Sequence, residues 1–280
     1  MHAPPKARPA RHDRAAGAAG LTERQRAEAL ARFYDLDVLD VSYDAELYQR
    51  LAHESGGPVL ELAVGSGRLA IPLAMAGHRV VGVDHDGAML ERAWTRWDLV
   101  RGPVERERLS LHEGDFTAFR TSERFTMVFI AVNTFLLAED DQARVALLRA
   151  MREQLRPGGI AVVEFSTPGD DELADFDGRL QLEWLRHEPE SGDLVAKLVS
   201  ARHDAEASSV TLCQVFEWTP AHGGPLARVT RTDTLHLVSA THLADLALGS
   251  GYDSVDLWGD HLSIPYGSGS HRAILVARLV

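Results

Sequence analysis

The sequence predicts an α/β fold: a seven-stranded, mostly parallel β-sheet with helices on both faces, plus an inserted small antiparallel β-sheet. Three observations predict it. Between Val59 and Phe165 short apolar runs alternate with helical periodicity. A glycine-rich turn, Gly65-Ser66-Gly67, follows the first of those runs. After Pro168 the rhythm changes to long extended segments before the α/β pattern returns.

In chain order, a helix is expected from Thr22, with Glu23 in its first turn, toward Phe33. Tyr34-Asp35 follows, then a second helix, Ala45 to His53, closed by Gly56-Gly57-Pro58. Val59 to Val64 is apolar and bounded by glycine, the pattern of a buried strand. The helix Arg68 to Ala76, the strand Arg79 to Val83 and the helix Ala88 to Trp97 continue the alternation. Leu109 to Leu111 and Thr126 to Val132 are strands, Asp141 to Leu155 is a helix, and Arg156-Pro157-Gly158-Gly159 turns the chain into the strand Ile160 to Phe165. The inserted sheet is formed by Leu180 to Arg186, Leu194 to Arg202, Val210 to Trp218 and Ala227 to Val238. A helix over Thr241 to Leu248, capped by Ser239 or Thr241, and strands at Tyr252 to Leu257 and Ala273 to Leu279 complete the main sheet. The organisation expected is a disordered tail at 1–20, a helical cap at 21–57, a cofactor-binding core at 58–168, the antiparallel insertion at 169–238 as a lid, and completion of the core at 239–280.

Composition narrows the function. Of 280 residues 45% are apolar, enough for a substantial core, and no run is long enough to read as a membrane span. A net charge of -12 disfavours a phosphate-neutralising surface, so no nucleic-acid partner is expected. Cys213 is the single cysteine, which excludes an internal disulfide and a cysteine-built metal cluster. Residues 1–20 lack the apolar stretch of a secretory signal. These features predict a cytoplasmic protein without membrane contacts, a monomer or homodimer.

The informative stretch is Val59-Leu60-Glu61-Leu62-Ala63-Val64-Gly65-Ser66-Gly67-Arg68-Leu69-Ala70. A strand running into a glycine turn and a helix lets a ligand approach the backbone and offers it open N–H groups. Gly65-x-Gly67-x-x-Ala70 also fits a dinucleotide fingerprint, with Asp84 placed for ribose hydroxyls, so the loop alone leaves an oxidoreductase open. Glu61 tilts the balance: a carboxylate inside a strand buried on both faces is costly unless it has a partner. A second acid, in Glu113-Gly114-Asp115-Phe116, follows the third strand, and Leu155-Arg156-Pro157-Gly158-Gly159 leads into the fifth.

With Gly82-Val83-Asp84 and Asn133-Thr134-Phe135, these pieces in this order make the chain from Tyr34 to Val280 resemble the class I, Rossmann-like S-adenosylmethionine-dependent methyltransferases, particularly bacterial small-molecule enzymes such as amino-sugar N,N-dimethyltransferases. The resemblance implies S-adenosyl-L-methionine as cofactor, S-adenosyl-L-homocysteine as product, and a small-molecule methyl acceptor as partner. It implies that Glu61 faces the methionine part, that Ala63, Gly65, Gly67 and Arg68 belong to the loop beneath the methionine and ribose, and that Asp84 binds the ribose diol. His85 and Met89 would flank the adenine, and Asp115 with the Phe116 N–H would read its edge. Ala131 and Asn133 would border the methionine amino group and the transferred methyl, and Tyr34 would close over the cofactor. Many relatives carry glycine where this chain has Ala63. Asp84 and Asp115 also suit helix or turn caps, and Met89 the core.

Methyl transfer demands mainly positioning, with a base where the acceptor must lose a proton. Tyr34, Asn133 and His236 are the candidates on the catalytic side, with Tyr43 a comparable source of a base. Alternation along the last inserted strand puts Arg228, Thr230, Thr232, Thr234 and His236 on one face and Val229, Arg231, Asp233, Leu235 and Leu237 on the other. No His-x-x-x-His or equivalent cluster is present among the 13 histidines, so no metal is expected. N- and O-methylation are favoured over C-methylation. A protein of this fold using the cofactor without transfer remains the main alternative, ahead of a nicotinamide-dependent oxidoreductase.

Overall fold

The computed structural model describes residues 21–38 and 44–280. The tail expected at 1–20 and the base candidate Tyr43 lie outside the described residues. The chain runs through helices α1 (Glu23–Asp37) and α2 (Ala45–Ser55), strand β1 (Val59–Leu62), α3 (Ala70–Met75), β2 (Val80–Asp84), α4 (Gly87–Val100), β3 (Leu109–Glu113), β4 (Phe125–Ile130), α5 (Asp141–Gln154) and β5 (Leu155–Ser166). A short helix α6 (Asp170–Asp175) leads to β6 (Gln181–His187), β7 (Leu194–Asp204), β8 (Ser209–Thr219) and β9 (Ala227–His236), after which come α7 (Ala240–Gly249), β10 (Ser254–Trp258) and β11 (Arg272–Arg278).

Two sheets result. The first has seven strands in the order β10-β11-β5-β4-β1-β2-β3, and the second four in the order β6-β7-β8-β9. In the large sheet β1 to β5 are mutually parallel, while β11 runs antiparallel between β5 and β10. From β1 the chain builds outward to β2 and β3, then returns to place β4 on the other side of β1. The reversal opens a crevice at the carboxyl ends of β1 and β4, the place where sheets of this kind bind ligands. The strands bury both faces, as their unbroken Val, Ile and Leu runs require. Leu147, Leu148 and Met151 of α5 and Leu243 of α7 cover one face. Leu47 and Leu51 of α2, Ile71 and Leu73 of α3, and Trp97 of α4 cover the other.

Of the boundaries that differ from expectation, which include the start of α3 at Ala70 rather than Arg68 and the end of β4 at Ile130 before a helical turn from Val132, two differ for tertiary reasons. Helix α1 is capped by Thr22 in a capping box with Gln25 and continues past Phe33 to Asp37. The small sheet holds that extra turn. Phe33 packs between Phe216 and Trp218, with ring centroids 5.4 and 5.0 Å away. Lys197 Nζ and Trp184 Nε1 donate to the two Asp37 oxygens at 2.6 and 2.8 Å, and Arg186 donates to the Leu36 carbonyl at 2.8 Å. The second difference is Arg156-Pro157-Gly158-Gly159, which forms no separate turn. Phe125 pairs with Leu155 and Met127 with Ile160, so the four residues are absorbed as an irregularity within β5.

Candidate active site

The loop after β1 is shaped by left-handed backbone. Gly65 and Gly67 have φ of 55° and 77°, and Ala63 has φ of 60° without the freedom of glycine. A Cβ on Gly67 would meet Ile71 at 3.0 Å, so this glycine lets the helix pack against its own loop. A Cβ on Gly65 would meet only Tyr34 Cε1, at 4.0 Å. Gly65 thus forms an open cradle beneath the Tyr34 ring.

Asp84, at the end of β2, fixes the loop. Its Oδ2 accepts from the Gly65 N–H at 2.8 Å and its Oδ1 from the Asp86 N–H at 2.9 Å. A carboxylate has about four lone-pair sites, so two remain for hydroxyl donors. Glu61 lies in β1, 4% exposed, and its Oε2 has no hydrogen-bond partner among the described residues. Burial drives its pKa well up, against the opposing charge of Arg68 and the Ala70 N–H. This is the buried acid that the sequence flagged, with one of its two oxygens left without a partner.

Arg68 links the loop to both N-terminal helices. Its Nη1 donates to both Asp44 oxygens, at 2.7 and 2.6 Å, and its side chain hydrogen-bonds Tyr34. Burial raises the Tyr34 pKa, although Arg68 opposes the shift, so at neutral pH the phenol is a donor rather than a base. Next to it, Asp35 accepts from Arg92 Nε at 2.7 Å, from Arg96 at 3.1 Å and from the Ser66 hydroxyl. Helix α1 is thereby tied to the glycine loop and to α4, with Arg92 also reaching Glu190, in the turn between β6 and β7, at 2.9 Å.

The remaining expected cofactor contacts gather at the ends of β2 and β3. The Gly114 N–H donates to the Asp84 carbonyl at 2.8 Å, drawing the two strand ends together. His85 is exposed, with its Nδ1 3.5 Å from Asp84 Oδ1. Asp115 takes the Thr117 N–H and hydroxyl at 2.8 and 2.7 Å, a turn cap that lowers its pKa and leaves its second oxygen outward. Met89 is buried on the first turn of α4, and Phe116 packs against the core.

After β4, Ala131 is half-buried and Val132 is held at φ 58°, an outlier for a β-branched residue. Asn133 Oδ1 accepts from the Ser166 N–H at 2.7 Å and so ties the end of β4 to the end of β5. Tyr34, Glu61, Ala63, Gly65, Gly67, Arg68 and Asp84 thus surround one loop. His236 stands apart at the end of β9, where its carbonyl accepts from Arg144 at 2.9 Å. Its side chain alternates away from Leu235, which packs onto the core.

Sequence reasoning missed a second buried carboxylate, Glu164 of β5. Tyr48 donates to its Oε2 at 2.8 Å, and His261 Nε2 lies 2.9 Å from Oε1, which Arg272 also reaches. Burial pushes the Glu164 pKa up, but these partners outweigh it and the net shift is downward. Asp44, Glu164 and His261 place ligand-type atoms within 4.8 Å of one another, yet Arg68 and Arg272 already sit on the two carboxylates. The signal for Glu164 was present: like Glu61, it is an acid inside an apolar strand.

Comparison with known proteins gives a concordant picture. Residues 59–159 match the methyltransferase domain family. The chain is similar to the cypemycin N-terminal methyltransferase of a Streptomyces species, 34% identical over 128 residues, 44% of this chain and 48% of that protein. The alignment therefore spans about half the length of that relative. Among solved structures, the CcbJ methyltransferase of Streptomyces caelestis superposes with a TM-score of 0.67 at 25% identity, covering 85% of this chain and 94% of that one. The sugar N-methyltransferase KedS8 of a Streptoalloteichus species superposes with a TM-score of 0.70 at 18% identity over 100% of this chain and 99% of that one. No helix among the described residues is long and apolar enough to cross a membrane.

Proposed function

We propose that this chain, a member of the class I S-adenosylmethionine-dependent methyltransferases, transfers a methyl group to an amine nitrogen of a small molecule or peptide. The observation that carries the reading is an open cradle at Gly65 together with a buried Glu61 oxygen, without a hydrogen-bond partner, on the strand that leads into the same loop. The cationic ring nitrogen of a nicotinamide dinucleotide bears no hydrogen to donate to that oxygen, whereas an amino-acid ammonium offers charged N–H donors. The amine acceptor is supported by the relatives named for peptide N-terminal and sugar N-methylation.

The bound cofactor supplies a methyl on a sulfonium: the nitrogen lone pair forms the new N–C bond as the C–S pair returns to sulfur, and the product amine sheds a proton to solvent. The protein's task is positioning, which is worth roughly 7–11 kcal/mol of barrier. Glu61 would hold the ammonium and Asp84 the ribose hydroxyls, with Asp115 and the Phe116 N–H at the adenine edge. Tyr34, donating from α1, would cover the methionine end and exclude water. Asn133 fixes the rim of β4 where the acceptor must enter. An amine needs only to arrive neutral, so no strong base is required. On this reading Tyr34 and Asn133 orient, and His236 takes no direct part.

The test is product formation. Protein, S-adenosylmethionine and matched panels of amines, phenols and carbon acids are incubated, and S-adenosylhomocysteine and methylated acceptor are measured by mass spectrometry. Product with amines is expected. Product only with hydroxyl or carbon acceptors would overturn the amine assignment.

A further inference from the structure

Strand β9 bridges the crevice from one side to the other. At one end Val229 is buried against Phe33 of α1. At the other, Leu235 packs onto the cluster that includes Phe135 and Leu136 of the turn carrying Asn133. Arg231 and Asp233 share the face of Val229 and Leu235 by alternation and lie between them. They therefore lie on the stretch of β9 that runs from α1, which carries Tyr34, to the turn that carries Asn133. Their β8 partners, Gln214 and Leu212, lie across from them on the same face.

The two residues form a polar pair with capacity to spare. Arg231 Nε donates to Asp233 Oδ2 at 2.7 Å, with the side chains 43% and 22% exposed. Among the described residues, neither the terminal Arg231 nitrogens nor Asp233 Oδ1 takes another partner. Donor and acceptor are fixed side by side, so the ligand atoms they bind must also be neighbours.

We propose that Arg231 and Asp233 recognise the acceptor, and that they select an amine bearing an oxygen on the adjacent carbon or the next carbonyl. Asp233 Oδ1 accepts one N–H of the amine, leaving the nitrogen lone pair free to point at the methyl. Arg231 donates to the neighbouring oxygen. A vicinal amino alcohol and an α-amino carbonyl both present this pair, while a plain alkylamine leaves the guanidinium donors unused. Sites built to bind a polar group reject analogues that lack it. The inference rests on the N-transfer reading above and specifies its substrate class.

The experiment compares 2-aminocyclohexanol, glycinamide and cyclohexylamine as acceptors for the full-length protein with S-adenosylmethionine, reading kcat/KM from S-adenosylhomocysteine release. The wild type should favour the two oxygenated amines over cyclohexylamine by about tenfold or more, one charged hydrogen bond's worth. Arg231→Gln should bring 2-aminocyclohexanol to within about twofold of cyclohexylamine, and Arg231→Lys should restore part of the ratio. Asp233→Asn should raise KM for all three. Melting curves and product-cofactor affinity of each variant report that fold and cofactor half are intact. A preference that survives Arg231→Gln, or a wild type without preference, overturns the inference while leaving N-transfer standing. No turnover of any amine overturns the N-transfer reading, and this inference with it.

Discussion

Glu61 and Asp84, on the sheet side of the crevice, are 4% and 6% exposed, whereas Arg231 and Asp233, on the lid side, have side chains 43% and 22% exposed. The sheet side is assembled from strand ends and backbone N–H groups, so its shape follows from the fold. Its polar atoms sit where solvent cannot satisfy them, which makes a complementary ligand part of the design. The opposite side is a separate sheet held at two places: on α1, by the Phe33 stack and the Asp37 ion pair, and on the main core, through Leu235. Its Arg231 and Asp233 side chains are partly solvent-exposed. On the proposed reading, a buried cofactor half and an exposed acceptor half would let one chemistry be redirected by changing surface residues of the inserted sheet.

The comparison breaks most visibly at the joint. Phe33→Ala should cost about 3–5 kcal/mol in urea unfolding, because a fully buried ring between two aromatics is lost. It should also weaken product-cofactor binding, since Phe33 anchors the helix carrying Tyr34. Unchanged stability would mean that the lid is held elsewhere.

Asp84→Ala comes next. Losing one charge-assisted bond to the glycine loop and one to the turn before α4, and the ribose acceptor with them, should reduce S-adenosylhomocysteine affinity about 100-fold by calorimetry. His236→Ala should stay within about twofold. Equal losses would relocate the crevice.

Glu61→Gln separates binding from stability. A buried acid with a raised folded pKa binds protons that the unfolded chain releases, so its contribution falls as pH rises from the unfolded value toward the folded one. The glutamine variant should therefore melt higher than wild type at pH 7–8, with the gap closing below about pH 4. It should also bind cofactor about tenfold more weakly. Glu164 has the opposite sign. Its lowered pKa contributes stability that is present above the unfolded value and lost as pH falls through the folded one. The smallest effect is expected from Val132→Gly, which relieves a left-handed valine that is 45% exposed and should stabilise by up to about 1 kcal/mol.

What could be read in the sequence follows the range of the interactions. The glycine turn, Glu61 and Asp84 lie on consecutive elements of one βαβ unit, so spacing along the chain sets their spacing in space. Asp35, Asp44 and His261 acquire their roles only through contacts with residues far along the chain. Asp44 serves Arg68, and His261 meets Glu164 across nearly 100 positions. The end of α1 was hidden for the same reason, because Leu36 and Asp37 are held by the lid rather than by helical propensity. Glu164 is different: the apolar run Ile160–Phe165 made its burial readable, and only the identity of its partners needed the fold.

The most direct test of the central claim is ligand-dependent melting of the full-length protein. S-adenosylhomocysteine at about 100 times its dissociation constant should add about 2.7 kcal/mol of stability, a rise of several degrees, while nicotinamide dinucleotides should leave the midpoint unchanged. A rise with the dinucleotides and none with either S-adenosyl ligand would contradict the account.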